Sequence, residues 1–194
     1  MLFILRRNKG IMNLKLNLTN PDQPDFDQVY ALYQQAFPVD ELYPTDLLFG
    51  HFNDPNNEFW SIYDDEKWVG LVYCMTENDL TYIGFLAIAP ELRGEGYGSA
   101  ALATVKEKYL TNRVCLLIEE VSPKYADYEA RKKRFSFYQA NGFQSAGFKI
   151  AELDVHYDFL VATGQSLTSD EYLSLINHYC GQDYAKVVNS HVID

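Results

Sequence analysis

The sequence contains few cysteines and few basic residues, and each scarcity argues against a class of protein. Its three cysteines, Cys74, Cys115 and Cys180, are odd in number and lie in apolar runs. This usage predicts buried thiols in a reducing compartment rather than a disulfide framework or a zinc site. Sixteen basic residues stand against 27 acidic ones, and the net charge of −11 disfavours binding to nucleic acid. The same charge would attract a cationic small molecule.

The sequence also lacks an apolar run long enough to cross a membrane. Residues 1–5 are apolar but end at Arg6-Arg7, which reverses the charge order of a secretory signal. We therefore expect a cytoplasmic protein that contacts no membrane. Met12 is an alternative start, and residues 1–11 are then an N-terminal extension.

The first half of the chain predicts helices and antiparallel strands. Residues 12–18 alternate apolar and polar side chains, which is the period of a half-buried strand. Asp25 with Gln28 resembles a capping box, so a helix is expected from there until Pro38 stops it. Two apolar runs flank an acidic turn and predict a hairpin, at residues 58–63 and 67–75.

The second half predicts a parallel unit followed by two further strands. The apolar runs at residues 82–89 and 114–121 enclose a helix and read as neighbouring strands. A helix is expected over residues 128–141, and its basic run at 131–134 is expected to form a solvated face. Two strands follow within residues 143–161. A C-terminal helix is bounded by a capping box and a glycine, at Thr168, Glu171 and Gly181.

A glycine-rich loop lies between the strand at residues 82–89 and the helix after it. Gly94, Gly96 and Gly98 stand at alternate positions. Glycine allows backbone conformations in which successive N–H groups converge, and the following helix start adds free N–H donors and a positive dipole end. The loop therefore predicts a phosphate site.

A dinucleotide is one candidate ligand for this loop. Gly96-Tyr-Gly98-Ser-Ala-Ala101 fits G-x-G-x-x-A, and the acidic pair Glu119-Glu120 follows about twenty residues later. Three observations disfavour this interpretation. Four residues separate the strand from the loop, the preceding strands read as antiparallel, and no second parallel half follows.

The chain resembles the GNAT superfamily of acetyl-CoA-dependent N-acetyltransferases. Arg93-Gly-Glu-Gly96-Tyr-Gly98 fits the family signature R/Q-x-x-G-x-G/A, and Phe137-Tyr138-Gln-Ala-Asn-Gly142-Phe143 resembles a second family block, F-Y-x-x-x-G-F. The order of the predicted elements also matches. The resemblance implies an α/β (α+β) fold with a mixed, mostly antiparallel sheet of about seven strands flanked by helices. Residues 12–163 would form the acetyltransferase domain, and 164–194 a C-terminal helical extension packed on it.

The resemblance also implies acetyl-CoA as co-substrate, held mainly by backbone groups. Three residues of the signature strand would pair with the pantetheine amides like an added strand: Leu86, Ala87 and Ile88. The N–H groups of the loop would hold the pyrophosphate: Arg93, Gly94, Glu95, Gly96, Tyr97, Gly98 and Ser99. The Glu95 side chain is expected to point to solvent, because a carboxylate disfavours a nearby pyrophosphate.

Catalysis needs an acid for the departing thiolate and a base for the amine. Tyr138 matches the family position for the acid. Glu119 and Glu120 are base candidates, and at most one faces the acceptor, since adjacent strand residues point to opposite sides. Glu41 is a further candidate in the connection that walls the acceptor pocket in this family. The pattern of histidines and carboxylates predicts no metal.

The predicted function is direct transfer of an acetyl group from acetyl-CoA to a primary amine of a small molecule or peptide. The acidic surface favours a cationic acceptor, and a homodimer is compatible with the sequence. Two alternatives belong to other classes. One is a CoA-binding sensor or interaction protein without catalysis, and the other is a dinucleotide-binding oxidoreductase.

Overall fold

A computed structural model describes residues 12–39, 41–153 and 155–193, and the predicted extension at residues 1–11 lies outside them. Helices pack on both faces of one mixed sheet, as the sequence predicts. The strands are β1 (Leu14–Leu18), β2 (Asn57–Asp64), β3 (Lys67–Glu77), β4 (Leu80–Ile88), β5 (Arg113–Glu119), β6 (Phe143–Glu152), β7 (Val155–Ala162) and β8 (His191–Ile193). The helices are α1 (Phe26–Ala36), α2 (Thr45–Gly50), α3 (Tyr97–Lys108), α4 (Tyr128–Ala140) and α5 (Ser169–Val188).

The sheet is mostly antiparallel, and its strand order is β1-β2-β3-β4-β5-β7-β6-β8. Among the described strands, β4 and β5 form the parallel pair, with α3 as the crossover helix. Their pairing runs from Leu80 opposite Arg113 to Ile83 opposite Leu116 and then stops. A bulge at Gly84 in the β3–β4 ladder coincides with this point. Beyond it the two strands separate, because a bulge bends and twists the strand that contains it.

Each face of the sheet carries its own apolar core. The helices α1, α2 and α5 cover one face, and α3 and α4 cover the other. Alternating side chains of β4 supply both cores, with Tyr82 and Phe85 in the first and Ile83 in the second. Strand β5 is nearly all apolar because its alternate residues are buried on opposite faces of the sheet.

The predicted capping box at Asp25 and Gln28 is wrong, although helix α1 forms. The Asp25 side chain makes no hydrogen bond to a helix N–H. Its carboxylate instead accepts hydrogen bonds from the Thr19 hydroxyl at 3.0 Å and the Tyr63 hydroxyl at 3.0 Å. Asp25 thus joins the chain before α1 to strand β2, and these tertiary partners outcompete the local cap.

The C-terminal segment contains a strand that the sequence does not predict, so the sheet has eight strands rather than about seven. The capping box of Thr168 and Glu171 is confirmed, and Gly181, with φ of 64°, ends the first part of α5. The helix then resumes after this kink and reaches Val188. Strand β8 follows and pairs with β6 through only three residues. Such a short edge strand leaves no periodic pattern to recognise.

Two observations bear on the classes that the composition disfavours. Cys74, Cys115 and Cys180 are buried free thiols, as predicted. In the described ranges of the chain, no helix combines the length and apolarity needed to span a membrane.

Candidate active site

A cavity of about 450 Å³ lies where β4 and β5 separate. Its walls include residues 82–88 of β4 and residues 116–119 of β5. The opposite edge of β4 pairs with β3 as far as Ile88, so the edge of residues 85–88 that faces β5 has no strand partner. Unpaired backbone groups at a strand edge can bind an extended amide chain as an added strand. The cavity therefore offers a preformed site for such a ligand.

The glycine-rich loop follows this strand edge after one short turn. A short 3-10 turn, Pro90–Leu92, follows β4, and the Arg93 Nε–H then donates to the Ile88 carbonyl at 3.0 Å. Gly94 has φ of 79° and Gly96 has φ of 100°, both in the region that favours glycine. Gly96 is the N-cap of α3, so the first N–H groups of that helix lie beside the loop. The local geometry suits an anion.

Two side chains of the loop, Tyr97 and Glu95, have contrasting environments. Tyr97 is buried, and its hydroxyl donates to the Asp64 carboxylate at 3.0 Å, which anchors the loop to the β2–β3 hairpin. Glu95 is exposed, as the sequence predicts. The Tyr97 side chain is thus held by the hairpin, while Arg93 and Gly98 of the loop line the cavity.

The two family blocks in the sequence meet in space. A Cβ at Gly98 would lie 3.1 Å from Cζ of Phe137, so glycine at this position allows α4 to pack against the start of α3. Gly142 has φ of 77° and follows the last turn of α4. The Nζ of Lys106 donates to the Asn141 carbonyl at 2.7 Å and ties the two helices together. This packing places Tyr138, which follows Phe137 in α4, beside the cavity.

Tyr138 lies on the cavity wall and is half-buried. Its ring packs between those of Phe137, at 5.2 Å, and Phe143, at 5.9 Å. Its hydroxyl forms no hydrogen bond to another described residue, so it can donate to a ligand in the cavity. Burial raises the pKa of Tyr138 to about 12, against an opposing effect of the Arg134 guanidinium. At neutral pH the phenol is therefore protonated.

The structure separates the two predicted base candidates. Glu119 lies on the cavity wall, and the next residue, Glu120, turns to the other side of the strand end. Glu120 accepts from the Nζ of Lys124 at 2.6 Å, from the Nζ of Lys149 at 2.7 Å and from the Tyr125 hydroxyl at 3.0 Å. These contacts, led by Lys124 and Lys149, lower the pKa of Glu120 to about 2. Glu120 is thus built into an ion-pair network outside the cavity.

Two arginines of α4 contact Glu119, which the expectation of a solvated basic face does not anticipate. Arg131 is buried and places Nη2 at 2.9 Å from Glu119 Oε1, and its Nε donates to Asp127 at 2.8 Å. Arg134 pairs with Glu119 Oε2 and lines the cavity. Their spacing of three residues puts both on the helix side that faces β5. That spacing, together with an acidic strand end, is the sequence signal for the contact.

Two further carboxylates reach the cavity. Glu41, in the α1–α2 connection, lines it at the position that the sequence suggests. Glu152, at the end of β6, also lines it and is absent from the sequence-based candidates. No sequence signal marks Glu152, because it belongs to no motif and its burial depends on α5 and on the segment before β8. The described residues contain no group of three or more potential ligands arranged for a metal.

Comparison with known families identifies the class of the chain. The acetyltransferase (GNAT) family model matches residues 26–143, which span α1 to the start of β6. The chain belongs to the GNAT acetyltransferase family, and the co-substrate of this family is acetyl-CoA. A search among curated proteins finds no match.

Solved structures show the same fold at low sequence identity. A putative GNAT acetyltransferase from Bacteroides thetaiotaomicron is 22% identical, with a TM-score of 0.66 over 86% of this chain and 94% of that one. Spermidine N-acetyltransferase from Vibrio cholerae, solved with CoA and spermine, is 16% identical, with a TM-score of 0.60 over 76% and 94%. An aminoglycoside 6'-N-acetyltransferase solved with coenzyme A is 12% identical, with a TM-score of 0.59 over 80% and 99%.

The network around Glu120 predicts a pH-dependent loss of stability in Glu120→Gln. Because the folded state holds the Glu120 pKa near 2, below its ordinary value of 4.5, its ion pairs stabilise the fold above pH 4.5. This contribution is lost as the pH falls from 4.5 towards 2, since the unfolded chain takes up the proton first. We expect the variant to be about 1–2 kcal/mol less stable at pH 7.

Urea unfolding at pH 7 and pH 3 measures this difference. The gap between wild type and variant should narrow at pH 3. Glu107→Gln removes the same charge from an exposed position on α3 and should leave stability within about 0.5 kcal/mol at both values. An equal gap at both pH values for Glu120→Gln would contradict the ionic origin of the effect.

Proposed function

We propose that this protein transfers the acetyl group of acetyl-CoA directly to a primary amine of a small molecule or peptide. The observation that carries the proposal is the β5-facing edge of β4 at residues 85–88, which pairs with no described strand and is followed, after the 3-10 turn Pro90–Leu92, by the glycine loop. Such an edge suits the amides of pantetheine, and the loop suits its pyrophosphate. Family membership supports the donor, and similar structures act on spermidine and aminoglycoside amines.

The proposed donor site uses backbone groups of two segments. The backbone of Leu86, Ala87 and Ile88 pairs with the pantetheine arm. The N–H groups of residues 93–99 converge on the pyrophosphate, and the dipole of α3 adds to their attraction. Glu95 is exposed, and its carboxylate is proposed to lie in solvent rather than beside that charge. Because backbone N–H groups would hold the pyrophosphate, the site needs few basic side chains. This explains how a protein with a net charge of −11 could bind an anion.

The reaction forms a bond between the amine nitrogen and the thioester carbon and breaks the bond between that carbon and sulfur. One proton leaves the nitrogen, and one reaches the departing sulfur. Tyr138 is proposed to donate a hydrogen bond to the departing sulfur, because it lines the cavity and its hydroxyl bonds to no described residue. Full transfer from a phenol with pKa of about 12 to a thiolate is uphill. A thiol such as cysteine has pKa of about 8.5, so the difference is about 5 kcal/mol.

Tyr138 therefore acts mainly by donating a hydrogen bond that strengthens as charge develops on sulfur. A bulk proton donor completes the transfer after the bond to carbon breaks. Hydrogen bonds aimed at developing charge contribute more in a site shielded from water than in bulk solvent. The half-buried setting of the phenol provides that shielding.

Of the two glutamates proposed as bases, Glu119 is the one that the cavity reaches. Each of its oxygens contacts an arginine, but a carboxylate has about four acceptor sites. It therefore retains sites for the amine or for a water that carries the proton. The carboxylate of Glu120 already accepts hydrogen bonds from Lys124, Lys149 and Tyr125. We accordingly assign the base role to Glu119 within this pair.

Binding and turnover assays test the proposed function. We expect saturable binding of acetyl-CoA by calorimetry, no binding of NADH, and release of free CoA in the presence of a primary amine. Binding of acetyl-CoA without CoA release across a broad amine panel would contradict catalysis and favour a sensor. Binding of NADH but not acetyl-CoA would instead favour an oxidoreductase.

Tyr138→Phe tests the assigned acid. Removal of the hydroxyl should lower kcat by about 10–100-fold, because a hydrogen bond to developing charge is lost. The dissociation constant for acetyl-CoA should stay within about twofold, since backbone groups hold the donor. Tyr128→Phe is the matched control on the same helix, outside the cavity wall. Equal kcat in wild type and Tyr138→Phe would remove the acid role.

A further inference from the structure

Glu152 lies on the cavity wall as the last residue of β6, and only 9% of its surface is exposed. Two elements of the C-terminal segment hold it. The Tyr172 hydroxyl of α5 donates to Oε1 at 2.6 Å, and the Ser190 hydroxyl beside β8 donates to the same oxygen at 2.5 Å. The described residues donate no hydrogen bond to Oε2. Oε2 of Glu152 therefore has an unused acceptor capacity on a side chain that lines the cavity.

Glu152 differs from the neighbouring glutamates in having no cationic partner. Glu119 pairs with Arg131 and Arg134, and Glu120 pairs with two lysines. Within the described part of the chain, Glu152 interacts instead with two neutral hydroxyl groups. Burial consequently raises its pKa above the ordinary value of 4.5. A buried carboxylate without a countercharge is costly, and a cation bound beside it recovers that cost.

The position of Glu152 is remote from the end of the cavity where transfer is proposed to occur. Glu119 on β5 pairs with Tyr157 on β7, and Tyr157 pairs with Ile150 on β6. Two strand spacings therefore separate the backbones of Glu119 and Ile150, about 10 Å. Glu152 lies two residues further along β6 on the same face of the sheet. Glu119 and Glu152 therefore belong to separate parts of the cavity wall, one on β5 and one on β6.

Aromatic side chains also line the cavity. Tyr82, Phe85 and Tyr43 all line the cavity, and the rings of Tyr43 and Phe85 lie 5.1 Å apart. Flat apolar walls suit a hydrocarbon spacer, and tyrosine faces also attract organic cations. A second anionic group on the acceptor would meet Glu152 and be repelled.

We propose that Glu152 binds a second ammonium group of the acceptor, so that the preferred substrate is a diamine whose cationic groups are joined by an apolar spacer. One amine lies at the β4–β5 gap beside Tyr138 and Glu119, and the other pairs with Oε2 of Glu152. The C-terminal segment contributes to specificity because Tyr172 and Ser190 hold the other oxygen. The inference rests on the proposed function for the position of the reacting amine.

Three five-carbon probes test this assignment by calorimetry with protein saturated with CoA. The probes are 1,5-diaminopentane, pentylamine, which lacks the second charge, and 5-aminopentanoate, which reverses it. We expect the diamine to bind at least about 10-fold more tightly than pentylamine, or about 1.4 kcal/mol. The aminopentanoate should bind more weakly than pentylamine. Equal binding of diamine and monoamine by wild type, or no binding of the diamine, would overturn the assignment.

Glu152→Gln should abolish the preference for the diamine. Its amide oxygen can still accept from Tyr172 and Ser190, and the loss of a buried charge should not lower thermal stability. Binding of the diamine should fall to the level of pentylamine, while binding of pentylamine and of acetyl-CoA stays within about threefold. Glu107→Gln, on the exposed side of α3, should keep the full preference.

The two proposals fail in different ways. Retention of the tenfold preference by Glu152→Gln would overturn the role of Glu152, whatever the turnover. A wild type that prefers the diamine but never releases CoA would contradict the proposed function and still support the binding role of Glu152.

Discussion

The separation of β4 from β5 is the constraint on which the site depends. Backbone N–H and C=O groups in a central sheet are normally paired, and leaving them unpaired is costly away from water. Here the pairing ends after Ile83 and Leu116, at the bulge at Gly84, and residues 85–88 have no strand partner on one edge among the described residues. The cavity, the glycine loop and Tyr138 are all arranged around that edge. In the proposed complex, the amide groups of the donor complete the hydrogen bonding of this edge.

Charge is distributed so that each carboxylate near the site has a distinct environment. The arginines of α4 neutralise Glu119, and two lysines neutralise Glu120 on the opposite side. Glu152 faces the same cavity as Glu119 but contacts only hydroxyl groups among the described residues. The carboxylate without a countercharge therefore lies on β6, where the second ammonium group of the acceptor is proposed to bind. An anionic donor and a cationic acceptor can thus occupy one cavity in an acidic protein.

The sequence predicts the fold and the backbone conformation of the glycine loop because both depend on local features. Strand periodicity, Gly94, Gly96 and the block ending at Gly142-Phe143 each mark a backbone requirement that can be read within a few residues. The acceptor side is different. Glu152 is brought to the cavity by a hydrogen bond from Tyr172, which is 20 residues away in the chain, and by one from Ser190, 38 residues away. Strand β8 is equally non-local, and the tertiary contacts of Asp25 override the cap that its sequence suggests.

Hydrogen–deuterium exchange with and without acetyl-CoA tests the central claim most directly, since that claim concerns backbone N–H groups. Slower exchange is predicted in peptides covering residues 85–88 and 93–99 when acetyl-CoA is bound, because those groups acquire partners. Peptides from β2 and β3, which are already paired, should change little. Unchanged exchange at residues 85–99 under saturating acetyl-CoA would contradict the account.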